Sequence, residues 1–353
     1  MAASKFRLAI LDDYQGIAAA KFSHLQPKVE VTTFSDNINP IGKAEKDALI
    51  ERLLPFTVIS TMRERTPFPG DVIRSLPNLK LLLTTGLKNS AIDMVACAEQ
   101  NIIVAGAKGV GKAGDLSLPT SIDSTAQHCW ALILGIARNI ARDDAAVKAG
   151  LWEISPATGL KGKTLGLLGF GNLGARVAAG GVWAFGMKVM AWSSNLTQED
   201  AEQQARKFGL PPGTVKVASS KEELLKEADV LSVHYVLSER SRDILGEKEL
   251  ALLKPSALLI NTSRGPLINE QALLDTLNRG KIRGAALDVY HVEPLPLDSP
   301  WRTTAWGKNG RSEVLLSPHM GYVEEDVMHR WYEDTVSNLE LWLEGKDLPT
   351  KLN

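Results

Sequence analysis

Short runs of apolar residues, each closed by polar residues or glycine, recur along the chain and alternate with stretches of helical spacing. Residues 6–11 (FRLAIL) form the first run and end in Asp12 and Asp13. A run this short and continuous predicts a strand buried on both faces. Residues 29–34, 57–61, 79–84 and 102–105 repeat the pattern, with helical spacing between them, as over 43–54. This βαβ rhythm predicts a parallel sheet with helices on its faces. Glycine and lysine crowd residues 106–119, which predicts a loop or hinge. Residues 121–142 have apolar positions at helical spacing and no proline, so one long helix is expected to leave the first sheet.

A second series of runs begins at 164 and continues at 188–192, 230–234, 257–261, 284–289 and 314–317. The polar, proline-containing stretch 201–220 reads as a helix and a surface loop, and 324–343 as an amphipathic helix that can pack back on the first half. The fold class expected is α/β: two doubly wound parallel-sheet domains, Rossmann/flavodoxin-like, with a cleft between them. The length of 353 residues suits two domains.

Composition narrows the function. Forty basic residues face forty-one acidic ones, for a net charge of -1, so a nucleic-acid partner lacks the basic excess it would need. No run of about 18 apolar residues exists to span a membrane, and the N-terminus shows no secretory signal. Cys97 and Cys129 stand in apolar, helix-like context without metal-ligand spacing. No metal site is expected, and a reducing, cytoplasmic setting is.

The second series opens with a motif. The run ending at Leu168 leads directly into Gly169-Phe170-Gly171-Asn172-Leu173-Gly174, followed by an alanine-rich helical segment. In that context Gly169 permits the tight turn, Gly171 leaves room for a pyrophosphate, and Gly174 lets helix approach sheet. Backbone N–H groups over Asn172 and Leu173 would hold the phosphates. The next strand ends in Trp192-Ser193-Ser194-Asn195, without the carboxylate that usually reads an NAD ribose about twenty residues on. Ser193 and Ser194 could bond a 2′-phosphate, but no basic residue follows until Arg206. NAD(P) is the expected cofactor, leaning to NADP.

Three further strand ends carry polar motifs: Asn261-Thr262-Ser263-Arg264-Gly265, Asp288-Val289-Tyr290-His291-Val292-Glu293-Pro294 and Ser317-Pro318-His319-Met320-Gly321. Carboxyl ends of strands in open α/β sheets are where ligands bind. Reduction of a 2-oxo acid needs a proton donor for the developing alkoxide, and a histidine, here His319, is the side chain suited to that task. Glu293 suits the carboxylate that orients the histidine, and Arg264 the fork that holds the substrate carboxylate. His291 competes as the base but lacks the SPHMG context.

These motifs, with the stretch 252–290 around NTSRG, resemble the D-isomer-specific 2-hydroxyacid dehydrogenases over most of residues 55–345. The resemblance implies Arg264, Glu293 and His319 as the catalytic set. It implies Asp288 and the backbone near Thr262 around the nicotinamide, and His234 along the cofactor path. Thr85-Gly86-Leu87-Lys88-Asn89 is similar to the family's substrate loop, whose amides, Gly86 and Leu87 among them, receive the substrate carboxylate. Ser124-Thr125-Ala126-Gln127 is similar to its Thr-Ala-Glu, with Gln127 in place of Glu and Thr125 touching the cofactor. The implied division is a substrate domain, 1–123 completed by 322–353, and a dinucleotide-binding domain, 124–321.

A glyoxylate/hydroxypyruvate reductase-like activity, or one on a larger 2-oxo acid, follows as the expectation, in a homodimer. Trp301, Trp306, Tyr322 and Trp331 leave room for a larger apolar side chain or pack structurally. The alternatives are an NAD(H)-sensing, corepressor-like binding protein and a formate or phosphite dehydrogenase-like enzyme.

Overall fold

In the computed structural model residues 5–109 and 123–353 are described. The chain divides into two units, Met1–Asp115 together with Glu324–Asn353, and Leu116–Val323. Each is α/β and built on one parallel sheet.

In the first unit the strands are β1 (Phe6–Ile10), β2 (Val29–Thr33), β3 (Val58–Thr61), β4 (Leu81–Thr85) and β5 (Ile103–Ala107). They pair in the order β2-β1-β3-β4-β5, all parallel. Strands β3 and β4 are buried at every position, as their apolar runs predict. The helix Lys43–Leu53 buries only Leu49 and Leu53, one stripe of an otherwise polar surface. The C-terminal helix Glu325–Leu343 packs against β4 and β5. Asn338 fastens it by donating to the Gly106 carbonyl at 3.0 Å.

In the second unit the strands are β6 (Thr164–Leu168), β7 (Lys188–Trp192), β8 (Val215–Val217), β9 (Val230–Val233), β10 (Leu258–Asn261), β11 (Gly284–Leu287) and β12 (Glu313–Leu316). Their order, β12-β11-β10-β9-β6-β7-β8, reverses direction between β6 and β9. That topological switch point is the crevice where such sheets bind ligands. The helix Ser124–Ala137 buries Cys129, Trp130 and Ile133 against this sheet. Small residues make the fit. A Cβ on Gly180 would come within 2.4 Å of the Trp130 indole nitrogen, which donates to the Val177 carbonyl at 3.2 Å.

Two expectations need correction. Residues 121–142 are not one helix: within the described part, Ser124–Ala137 ends and Ile140–Lys148 begins after Asn139, whose φ is 57°. Asparagine tolerates that left-handed turn. The turn frees the second helix from the core, so that Ile140 is 61% exposed. The stretch 201–220 holds more than a helix and a loop. Val215–Val217 adds the edge strand β8 beside β7, three residues whose signal is too short to read. The glycine-rich 106–119 lies beyond residue 109 outside the described residues.

Candidate active site

The glycine turn occupies the switch point. Gly169 follows β6 with φ 99°, and a Cβ there would lie 2.5 Å from the His234 carbonyl oxygen, on the chain leaving β9. A Cβ on Gly174 would lie 2.6 Å from the Gly169 carbonyl. Both contacts demand glycine. Gly171 differs: a Cβ there would meet no atom of the described residues within 4 Å. The helix Asn172–Phe185 starts at this turn without a side-chain cap, so its first N–H groups are offered outward. The Asn172 side chain is turned to Gln204, which donates to its Oδ1 at 2.7 Å. His234 bonds Ser232 Oγ through Nε2 at 2.8 Å, while its Nδ1 is buried without a partner among the described residues. Burial pushes its pKa down to about 4, so the ring is neutral at physiological pH. Open space over Gly171, an uncapped helix start and an orphaned ring nitrogen together fit a dinucleotide.

At the ends of β11 and β12, His319 and Glu293 meet: Nδ1–H of the histidine donates to Glu293 Oε2 at 2.5 Å. The other carboxylate oxygen accepts from the Tyr290 N–H at 2.8 Å, so Glu293 is itself oriented. Fixing the proton on Nδ1 leaves Nε2 as the nitrogen that exchanges protons. Tyr322 packs edge-on against the imidazole, centroids 5.7 Å apart.

His319 has φ 57°, a conformation that a non-glycine residue keeps only when its neighbours enforce it. Asp288 does the enforcing. It is 1% exposed and accepts from the Met320 N–H at 2.8 Å and the Gly321 N–H at 3.1 Å. His128, one turn into the helix Ser124–Ala137, adds Nε2 at 3.0 Å from Asp288 Oδ1 and 2.9 Å from Ser317 Oγ. Burial alone would raise the Asp288 pKa, but His128, Ser317 and the Met320 amide outweigh it and hold the carboxyl below its usual range. A Cβ on Gly321 would sit 3.4 Å from both Asp288 Oδ2 and the Thr125 methyl, which places Thr125 beside the same turn. His128 is absent from the sequence-based candidates. Its signal was a polar residue next to the buried Cys129 and Trp130 in an otherwise apolar helix.

Arg264 is exposed in the loop after β10, its guanidinium donating to the Ser263 carbonyl at 2.8 Å. The next residue explains its neighbourhood. A Cβ on Gly265 would lie 2.2 Å from the Tyr290 backbone, so glycine lets the arginine loop touch the loop that leads to Glu293. His291, by contrast, is tied to the Ile268 carbonyl at 2.9 Å, not to a carboxylate. Thr262 is buried at the end of β10. Ser193 and Ser194 follow β7. Ser194 donates its N–H to Tyr235 Oη at 3.2 Å and accepts the phenol proton on Oγ at 3.0 Å, so its hydroxyl is already engaged. Tyr235 stacks on Trp192.

Gly86 and Leu87 belong to the first unit. Gly86 follows β4 with φ 84°, and Leu87 is 46% exposed. The loop is stitched down by Asn89, which donates to the Arg63 carbonyl at 2.6 Å and to Thr84 Oγ1 at 3.0 Å, and by Thr85, which accepts from the Arg63 N–H. Trp331 lies in this unit, on the C-terminal helix, while Trp301 and Trp306 pack on each other in the second unit's core. Among the described residues no group of three or more His, Cys, Asp and Glu is placed to hold a metal ion. No described helix is long and apolar enough to cross a membrane.

A doubly wound sheet with an open glycine turn at its switch point, and a histidine–carboxylate pair on the same edge, belongs to a nicotinamide-dependent oxidoreductase. Comparison with known proteins narrows the class. Residues 130–321 match the model of the D-isomer specific 2-hydroxyacid dehydrogenase NAD-binding domain. The chain is 32% identical over 292 residues to a glyoxylate reductase of Thermococcus litoralis, covering 80% of each protein. It is 33% identical over 288 residues to a hydroxypyruvate reductase of Thermotoga maritima, covering 81% of this chain and 84% of the other. A phosphoglycerate oxidoreductase from Vibrio cholerae superposes with a TM-score of 0.80 at 32% identity, over 96% of this chain and 99% of that one. The protein belongs to the D-isomer-specific 2-hydroxyacid dehydrogenase family.

Proposed function

We propose that the protein reduces a small 2-oxo acid to the D-2-hydroxy acid, or runs the reverse, with Arg264, Glu293 and His319 as its catalytic residues. The observation that carries this reading is the Glu293–His319 pair on a turn pinned by Asp288. Arg264 holds the substrate carboxylate and polarises the 2-oxo group through its forked donors. A nicotinamide held at the glycine turn would supply or accept the hydride. His319 gives its Nε2 proton to the developing alkoxide, and Glu293 stabilises the imidazolium. The Gly86 and Leu87 amides also receive the carboxylate. Gly169, Gly171, Asn172, Leu173 and Gly174 would hold the cofactor's phosphates, Thr125, His234, Thr262 and Asp288 its nicotinamide half, and Ser193 and Ser194 its adenosine end. The absence of an acid after β7 supports a lean to NADP.

The names of the relatives support a two- or three-carbon oxo acid, glyoxylate or hydroxypyruvate, as the first substrates to try. A homodimer is supported by exposed apolar side chains on the second unit, Trp152 at 76%, Leu151 at 55% and Val147 at 53%. Light scattering that returns a monomer mass would count against it. Buried free cysteines suit a cytoplasmic setting.

The deciding assay follows loss of reduced-nicotinamide absorbance with NADPH or NADH against glyoxylate, hydroxypyruvate and phenylpyruvate. Turnover is expected in the wild type. His319→Ala should lower it by about 100- to 10,000-fold. A wild type that binds cofactor yet turns over no 2-oxo acid would point instead to a sensing protein or another substrate class.

A further inference from the structure

We propose that His128 is a positioning residue for His319, acting through Asp288: it donates the helix-borne hydrogen bond that fixes the carboxylate on which the catalytic turn hangs. The proposal rests on the reading of His319 as the proton donor. Asp288 offers only lone pairs when ionised, so the His128 Nε2 that lies 3.0 Å from Oδ1 must carry a hydrogen. The Ser317 hydroxyl lies 2.9 Å from the same nitrogen. The carboxylate thereby collects three donors, His128 from one side and the Met320 and Gly321 amides from the other. An ionised carboxylate has about four acceptor sites in all. Three of them are taken by its own chain.

The donors are unequal in rigidity. Met320 and Gly321 belong to the turn that is being held, so they cannot anchor it. His128 belongs to a different element, the helix Ser124–Ala137, seated by Cys129, Trp130 and Ile133 in the unit's core. It therefore supplies the fixed reference. Without it the carboxylate can swing with the turn, the left-handed conformation of His319 loses its enforcement, and Nε2 points away from the productive line. Thr125 lies three residues earlier on the same helix and touches the same turn, so the helix that borders the cofactor also sets the acid.

The test compares His128→Ala and His128→Gln with the wild type, since the glutamine Nε2–H can replace the imidazole donor. Three quantities are read: kcat and KM, melting temperature, and hydrogen exchange of the peptide spanning residues 317–323. For His128→Ala, kcat should fall by about 10- to 100-fold. KM and cofactor affinity should stay within about threefold. Exchange in 317–323 should quicken by about tenfold or more while other peptides hold. His128→Gln should recover most of both effects. Unchanged exchange in that peptide overturns the proposal, as does faster exchange across the whole unit with a falling melting temperature, which marks a merely structural role. If the alanine variant does not fold, the glutamine variant decides: its 317–323 peptide must exchange as in the wild type. If the wild type turns over no 2-oxo acid, the proposed function fails, and the exchange comparison alone still decides whether His128 holds the turn.

Discussion

Each unit buries an aspartate to 1% exposure at the carboxyl edge of its sheet, Asp12 (next to the equally buried Asp13) in the first and Asp288 in the second, and Asp12 and Asp288 behave in opposite ways. Asp12, just past β1, has a pKa raised by burial; the Asn37 amide and the Thr66 hydroxyl, at 2.8 Å each, do not compensate it. Asp288, just past β11, is buried as deeply, yet its donors win and its pKa falls. Burial depth therefore does not decide the state of a carboxylate; the number and aim of its donors do. Asp12 serves as a tie between the loops that follow β1, β2 and β3. Asp288 serves as a standing anion on which backbone amides are organised.

That contrast can be broken in several ways, of which Asp288→Asn should give the largest effect. The amide presents a donor where three donors converge, so kcat should fall on the order of 100-fold. Activity near the wild-type level would show that the turn holds itself. Gly171→Ala should come next, because it fills the open space over the glycine turn without striking protein. Cofactor affinity should drop by about tenfold, with the melting temperature unchanged. A shared fall in both would mean that the space is structural.

The pH dependence of stability should separate the two aspartates by sign. Asp12 has a raised folded pKa, so its contribution is full below 3.8 and is lost as pH rises through the higher folded value. Asp288 has a lowered one, so its contribution is present above 3.8 and is lost as pH falls through the lower folded value. Melting curves should accordingly show Asp12→Asn gaining on the wild type as pH rises towards neutrality. The deficit of Asp288→Asn should narrow in acid. Parallel curves for the two variants would remove the distinction. At neutral pH, Asp12→Asn should change stability by no more than about 1 kcal/mol, since a neutral group replaces a poorly compensated one. The smallest effect belongs to His291→Ala, whose ring bonds the Ile268 carbonyl and no carboxylate among the described residues; turnover should stay within about threefold. A loss as deep as that of His319→Ala would reinstate His291 as a candidate base.

Much of this was legible in the chain, for reasons that differ by element. Strands β3, β4 and β9 to β11 are short, largely apolar runs buried at every position because both faces of a parallel sheet are covered, and such runs identify themselves. The three-residue β8 was missed because its order comes from pairing with β7, not from its own side chains. The long helix was misjudged because apolar spacing runs through Asn139 without interruption, and only a left-handed φ ends it. Gly265 stood in plain view within NTSRG, yet its reason, the Tyr290 backbone 2.2 Å from where a Cβ would sit, lies in the loop after a different strand.

The sequence by itself determined the βαβ rhythm, the glycine turn and the residue types its chemistry would require, because periodicity and backbone freedom are local properties. Which residues carry that chemistry was a matter of arrangement. That Glu293 faces His319, that Asp288 looks inward to two amides, and that His128 reaches across 160 positions to steady it were decided only in the tertiary structure. Hydrogen bonds between distant strand ends depend on the order of strands in the sheet, and that order is settled by packing the whole core.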